Sequence, residues 1–209
     1  MNIIAGIDEA GRGPLIGDMF MVIVVMEENK LPLLRELGVK DSKKLSKNQR
    51  ERIFPYILSN SLIVSAARAT PQQIDNENLN VIELRMACKL IKTVSRFYTI
   101  NTIYMDAFSN PNELKNVISR TCNTPEHNLV IKYNADSEFL IVGAASIVAK
   151  ILRDNYIAIL KRIYGEIGSG YPSDYRTIQW VERYLRKYGE IPPIVRKSWR
   201  TVRRMLSQL

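Results

Sequence analysis

The stretch "GIDEAGRGP", residues 6–14, ends the nearly continuous apolar run "NIIAGID" with two adjacent acids and an alternating Gly-Arg-Gly. Such a run suits a strand buried on both faces, as in the interior of an α/β sheet. Within a regular strand Asp8 and Glu9 would point to opposite faces. They can serve one site only if the strand ends or twists there, and Gly11 and Gly13 supply backbone freedom for that. The glycines are therefore expected to end the strand where the acids converge.

Working outward, "MFMVIVVM" (19–26) and "LIVSAARA" (62–69) read as neighbouring strands, with connections short enough for antiparallel pairing. Ser46 and Gln49 form a capping box for a short helix ending near Leu58. From Asn78, Leu79, Ile82, Met86, Leu90 and Val94 recur at helical spacing. "TIYMDAF" (102–108) is a strand ending in an acid, "NPNELKNVISRTC" a helix with Pro111 in its first turn, and "NLVIKYNAD" (128–136) another acid-ended strand. A long helix is predicted over 136–154, with Asp136, Leu140, Gly143, Ile147, Lys150 and Asp154 on one stripe. Small residues in "GAAS" (143–146) would let that helix lie close to the sheet. The alternation of elements indicates one α/β domain.

Thirty Lys and Arg against 21 acids give a net charge of +9, which favours a polyanionic partner, nucleic acid before an acidic membrane surface. Nine basic and three acidic residues fall between Asp174 and Leu209. That segment holds two helix-like stretches, so the division expected is a domain over 1–173 and a basic helical subdomain over 174–209. On its second helix Arg196, Lys197, Arg200, Arg203 and Arg204 recur as candidate phosphate contacts, with Trp199 and Val202 as anchors. No apolar stretch is long enough to span a bilayer, and no basic leader opens the chain. Cys88 and Cys122 make no disulfide framework, so reduced thiols in a cytoplasmic protein are expected. His127 is the single histidine, and with Cys122 it falls short of the ligands zinc needs.

Asp8, Asp106 and Asp136 each fall at the carboxyl end of a predicted strand, the edge where open α/β sheets carry their sites. Glu9 adds a fourth carboxylate. Four hard oxygen donors without histidine or cysteine suit Mg²⁺ or Mn²⁺. Two such ions, about 3.5–4 Å apart, can activate water and stabilise a leaving oxygen in phosphodiester cleavage. Each acid taken singly also reads as a cap or a solvated strand end; "ADSE" around Asp136 is a good helix N-cap sequence.

"GIDEAGRGP", "KDSKKLS", "YMDAF", "ADS…VGAASIVAKILRD" and "GSGYPSD" together, in this order and spacing, resemble ribonuclease HII in its archaeal form, over the chain to about residue 200. The resemblance implies an α/β, RNase H-like fold: a central mixed five-stranded sheet flanked by helices, with a small helical C-terminal subdomain. It implies two-metal-ion cleavage of RNA in RNA–DNA hybrids, and incision 5′ of ribonucleotides embedded in DNA, leaving 3′-hydroxyl and 5′-phosphate ends. The family's metal-site acids map onto Asp8, Glu9, Asp106 and Asp136, its Gly-Arg-Gly element onto Gly11, Arg12 and Gly13, a phosphate-contacting lysine onto Lys43, and its sugar-distorting tyrosine onto Tyr171. Glycines allow a backbone to come close enough to sense a 2′-hydroxyl. A monomer is expected. The absence of a domain ahead of Met1 favours this family over ribonuclease HIII, and no glutamine-then-paired-aromatic box for a sliding clamp closes the sequence. Tyr175 stands where archaeal relatives commonly carry proline. Two other functions use the same features: an RNase H-like DNA resolvase or integrase, which needs the acids but no sugar sensor, and a non-catalytic RNA–DNA binding module.

Overall fold

The structure is a computed structural model that describes residues 2–39 and 44–207. Among these, β1 (Ile3–Ala10), β2 (Met19–Glu27), β3 (Ile63–Ala69), β4 (Thr102–Asp106) and β5 (Leu129–Lys132) form one mixed sheet in the order β3-β2-β1-β4-β5. β1 pairs antiparallel with β2 from Ile3↔Glu27 to Ala10↔Phe20, and parallel with β4 from Ile4↔Thr102 to Ile7↔Met105. Being central, it is buried on both faces, as its continuous apolar run requires.

The helices are α1 (Leu31–Glu36), α2 (Lys47–Asn60), α3 (Pro71–Asn76), α4 (Leu79–Val94), α5 (Pro111–Cys122), α6 (Ala135–Glu138), α7 (Leu140–Tyr164), α8 (Tyr175–Tyr188) and α9 (Arg200–Leu206). The pleat sends Ala5 and Ile7 into a core shared with α3, α4 and α5. Ile4, Val22 and Val24 face the other way, into a core with α1, α2, α6 and α7. The capping box of Ser46 and Gln49 forms as expected, and a second one forms at Thr70 and Gln73. A third core joins Leu15 and Ile16 to the second half of α7, α8, Val195 and Val202. Cys88 and Cys122 are free thiols, and no helix among the described residues is long and apolar enough to cross a membrane.

Four local expectations need correction. β1 does not end at its acids; it stays paired with β2 as far as Ala10. What stops is its pairing with β4, because β4 itself ends at Asp106. Asp136 does not end a strand either: β5 finishes at Lys132, Asn134 turns the chain with φ 57°, and Asp136 lies in α6. The long helix is interrupted at Phe139, which is extended (φ −112°, ψ 117°) and pinned against the Tyr104 ring at 4.6 Å, and it then continues to Tyr164. Asp136 is therefore out of register with the stripe on α7. Finally, residues 195–199 are not helical. Val195 bridges Ile16, and Asp75 accepts the amides of Lys197 and Ser198, each at 2.8 Å.

Helix and sheet approach closely at Gly6, where an added Cβ would lie 2.2 Å from the Ile141 carbonyl oxygen. Backbone cannot yield there as a flexible side chain would. Gly6→Ala should push α7 off β1, costing about 2–3 kcal/mol, the upper range for overpacking. For a chain of this size that is a fall in Tm of roughly 5–10 °C, measurable by thermal unfolding. An unchanged Tm would show that α7 does not seat on β1 as described.

Candidate active site

Where parallel pairing stops at Ile7↔Met105, the next residues on the two strands are Asp8 and Asp106. Asp8 is 5 % exposed. Burial first, then the charges of Glu9 and Asp106, push its carboxyl well above the ordinary range, against hydrogen bonds from Ser146 and the Glu9 amide that lower it. The Glu9 amide donates to Asp8 Oδ1 at 2.8 Å, just beyond the last β4 partner. Ser146 comes from the small-residue face of α7, and Lys150 Nζ donates to its Oγ at 2.9 Å. The close seating of α7 at Gly6 thus brings a hydroxyl to Asp8.

Asp106 Oδ1 accepts the Ala135 amide at 2.8 Å, so the β4 acid holds the first residue of α6. Asp136, the next residue, is 2 % exposed. Glu9 feels both Asp106 and Asp136; burial, then Asp106, and more weakly Asp136, raise its pKa from 4.5 to about 7, although Arg12 pulls it down. The structure therefore brings Asp8, Glu9, Asp106 and Asp136 to one edge. Among the described residues, no three acidic, cysteine or histidine side chains yet stand in a ligating group. The donors suit a divalent cation: all are hard oxygen, Asp8 and Asp136 are buried, and the pKa values of Asp8 and Glu9 are raised.

The Gly-Arg-Gly run forms a loop beside this edge. Gly11 takes φ +92°, a conformation that disfavours any side chain, and its added Cβ would meet the Asp18 carbonyl oxygen at 2.8 Å. Gly13 has no such constraint; among the described residues, the one atom within 4 Å of its Cβ position is Tyr171 Cε1, at 4.0 Å. The loop and Tyr171 are therefore neighbours. Arg12 turns back to the protein, ion-paired with the fully buried Glu83 and hydrogen-bonded to Asn80 at 2.7 Å. Lys43 lies outside the described residues.

Two further arginines brace the loop. Arg153, 8 % exposed, stacks its guanidinium on the Tyr171 ring at 4.6 Å and donates to the Ser169 carbonyl at 2.9 Å. Asp174 takes the Ser169 amide at 2.7 Å, and that backbone bond leads the causes holding its pKa down to about 2. Arg196, expected on a helix facing phosphate, is fully buried instead. It donates to the carbonyls of Gly11 (2.5 Å), Arg12 (2.8 Å) and Gly17 (2.9 and 3.2 Å). Burial lowers its pKa to about 10, so it is charged at neutral pH. Trp199 Nε1 donates to the Gly13 carbonyl at 3.2 Å. Arg200 and Arg203 stay exposed and line a cleft of about 590 Å³ with Asn78 and Trp199.

Sequence reasoning missed Glu83, Ser146, Asp75 and the inward turn of Arg196. Glu83 had a signal: it stands four residues from both Leu79 and Ala87 on the apolar face of α4. Arg196 had none, since its acceptors lie 179 to 185 residues away.

A mixed sheet with buried acids gathered where its parallel strands end defines an RNase H-like nuclease architecture. Residues 5–202 match the family model for ribonuclease HII. The ribonuclease HII of Thermofilum pendens is 43% identical over 98% of this chain and 100% of its own length. The crystal structure of ribonuclease H2 from Pyrococcus horikoshii superposes with a TM-score of 0.89 at 38% identity, covering 99% of this chain and 98% of the other. The RNase HII of Archaeoglobus fulgidus, solved in complex with PCNA, gives 0.86 at 32% identity over 97% and 96%. The chain belongs to the ribonuclease HII family, a family of hydrolytic nucleases.

Removing the Glu9 charge should stabilise the protein in the absence of divalent metal. Its folded pKa, about 7, lies above the ordinary value of 4.5, so folding binds protons and stability is lost as pH rises between the two. Glu9→Gln should therefore melt higher than the parent in EDTA at pH 8, with the gain shrinking towards zero by about pH 4.5. A gain that is absent at pH 8 would mean that Glu9 is not held among like charges.

Proposed function

We propose that the chain is a metal-dependent endonuclease that cuts the RNA strand of RNA–DNA hybrids and incises 5′ of a ribonucleotide embedded in duplex DNA, leaving 3′-hydroxyl and 5′-phosphate ends. One observation carries this: the acids Asp8, Glu9, Asp106 and Asp136, of which Asp8 and Asp136 are buried, lie beside a loop whose carbonyls face inward and whose Gly13 meets Tyr171. Acids alone would serve any RNase H-like nuclease; a backbone loop and an aromatic ring beside them suit a sugar sensor.

In this assignment Asp8, Glu9, Asp106 and Asp136 hold Mg²⁺ or Mn²⁺. Bound there, the two ions would supply an activated water and neutralise charge on the leaving oxygen. Ser146 and the Glu9 amide fix the Asp8 carboxylate, and the Ala135 amide fixes Asp106, so the donors are aimed before substrate arrives. In the trans peptide the N–H points opposite to the preceding carbonyl, so the inward carbonyls of Gly11 and Arg12 turn the Arg12 and Gly13 amides outward. Two donors there can hold a 2′-hydroxyl oxygen. Tyr171, backed by Arg153, offers its ring to the neighbouring sugar. Arg200, Arg203 and Lys43 meet phosphates. Arg12 contributes its backbone to this loop while its side chain pairs with Glu83.

The protein acts as a monomer in the cytoplasm, with Cys88 and Cys122 reduced. Its relative from Archaeoglobus fulgidus was solved with PCNA, so a sliding clamp is a partner class for this chain too.

Asp8→Asn or Asp106→Asn keeps side-chain shape and removes charge. Either should lower cleavage of a duplex carrying one ribonucleotide by at least about 10³-fold, as expected when charge stabilisation at a reacting centre is lost. Binding of that duplex should persist. Near-normal turnover in either variant overturns the metal-site assignment, and equal cutting of an all-DNA duplex by the parent favours a resolvase.

A further inference from the structure

We propose, resting on the activity assigned above, that Arg196 and Trp199 are positioning residues for ribose selection, holding the carbonyls of Gly11, Arg12 and Gly13 so that the loop's amide edge faces the sugar. Every carbonyl of the Gly-Arg-Gly run is taken by this one short segment: Arg196 serves Gly11 and Arg12, and the Trp199 indole serves Gly13. The Trp199 ring also covers the Arg196 guanidinium at 5.0 Å from its centroid, so the two donors are one unit. Asp75 holds that unit from the far side by accepting the amides of Lys197 and Ser198 and the Ser198 hydroxyl, at 2.8, 2.8 and 2.6 Å.

A positive charge with no exposed surface is costly unless it is well bonded. Among the described residues, the Arg196 guanidinium is hydrogen-bonded to neutral carbonyls; the like-charged Arg153 opposes it, and Asp18 and Asp75 favour it. An apolar residue would fill such a place more cheaply if packing were all that mattered. What the guanidinium adds is direction. Its planar fork fixes two successive peptide planes, and those planes set where the Arg12 and Gly13 amides point. The second arginine completes the frame: Arg153 braces Tyr171 and its added-Cβ neighbour Gly11, while the Gly170 carbonyl accepts the amides of Leu15 at 2.7 Å and Ile16 at 3.2 Å. Residues remote in sequence thus decide the orientation of a loop that would otherwise be free to turn at Gly11 and Gly13.

The test compares the parent, Arg196→Lys and Trp199→Phe on two duplexes of one sequence, all-DNA and carrying a single ribonucleotide. Affinity for each is measured in EDTA, kcat and KM with Mn²⁺, and folding by thermal melting. Trp199→Phe keeps a ring over the guanidinium and removes only the bond to Gly13. Its preference for the ribonucleotide duplex should fall about three- to tenfold, the range of one net hydrogen bond. A lysine cannot reach three spread carbonyls, so Arg196→Lys should lose about tenfold or more. Affinity for the all-DNA duplex should not change in either. Full ribose preference and turnover in Trp199→Phe, or in a folded Arg196→Lys, overturns the proposal. So does an equal loss on both duplexes, which marks a purely structural role. If Arg196→Lys does not fold, Trp199→Phe decides alone. A parent protein that cuts neither duplex, or both alike, overturns the activity itself, and that result is read before any variant is compared.

Discussion

Two parallel strands in register, with an acid next in line on each, set the electrostatic condition that the surrounding structure must meet. β1 and β4 part after Ile7↔Met105, leaving Asp8 beside Asp106. Two carboxylates there repel, and Glu9 and Asp136 add to the repulsion. The neighbouring elements are shaped to hold them. α7 seats close enough at Gly6 to deliver Ser146, and Asp106 spends one oxygen on the amide that begins α6. Arg12, whose charge lowers the Glu9 pKa, is itself paired with Glu83, and Lys150 reaches the cluster through Ser146. Four hard oxygen donors so placed suit a divalent cation.

Beside that charge cluster lies a second constraint, of direction rather than charge. The Gly-Arg-Gly loop can adopt many backbone conformations, and the third core exists where the chain restricts them. Leu15 and Ile16 are drawn into it, Val195 bridges to Ile16, and Arg196 and Trp199 follow immediately. Part of the basic excess in the last residues therefore serves as scaffold. Arg200, Arg203 and Arg204 remain at the surface, whereas Arg196 points into the protein.

Features set by local rules were legible in the sequence. The buried central strand, the capping box at Ser46, the α4 stripe and the small face of α7 all appear where composition and spacing put them. The four acids come near enough to one another for Glu9 to feel Asp106 and Asp136, and Asp8 to feel Glu9 and Asp106. The route to it was not legible. β1 does end directly before Gly11, but past its acids: a strand can lose one partner and keep the other, and only the length of β4 decides where that happens. Asp136 lies in α6 because Asn134 adopts a left-handed turn, an option asparagine carries without announcing it. The break at Phe139 depends on Tyr104, a residue of another strand. Arg196 is the extreme case: a basic residue in a basic tail reads as surface until its acceptors, at the opposite end of the chain, are in view.

The central claim is that Asp8 and Glu9, their pKa values raised by burial and by neighbouring carboxylates, give up protons when a divalent cation binds among the four acids. Isothermal titration of Mn²⁺ into the protein, repeated at pH 6.5 in two buffers of different ionisation enthalpy, counts the protons released on binding. With Glu9 near 7 and Asp8 raised as well, binding at pH 6.5 should release protons, and the number should fall as pH is raised to about 8.5. Binding with no proton release at pH 6.5, or no binding at all, would contradict it.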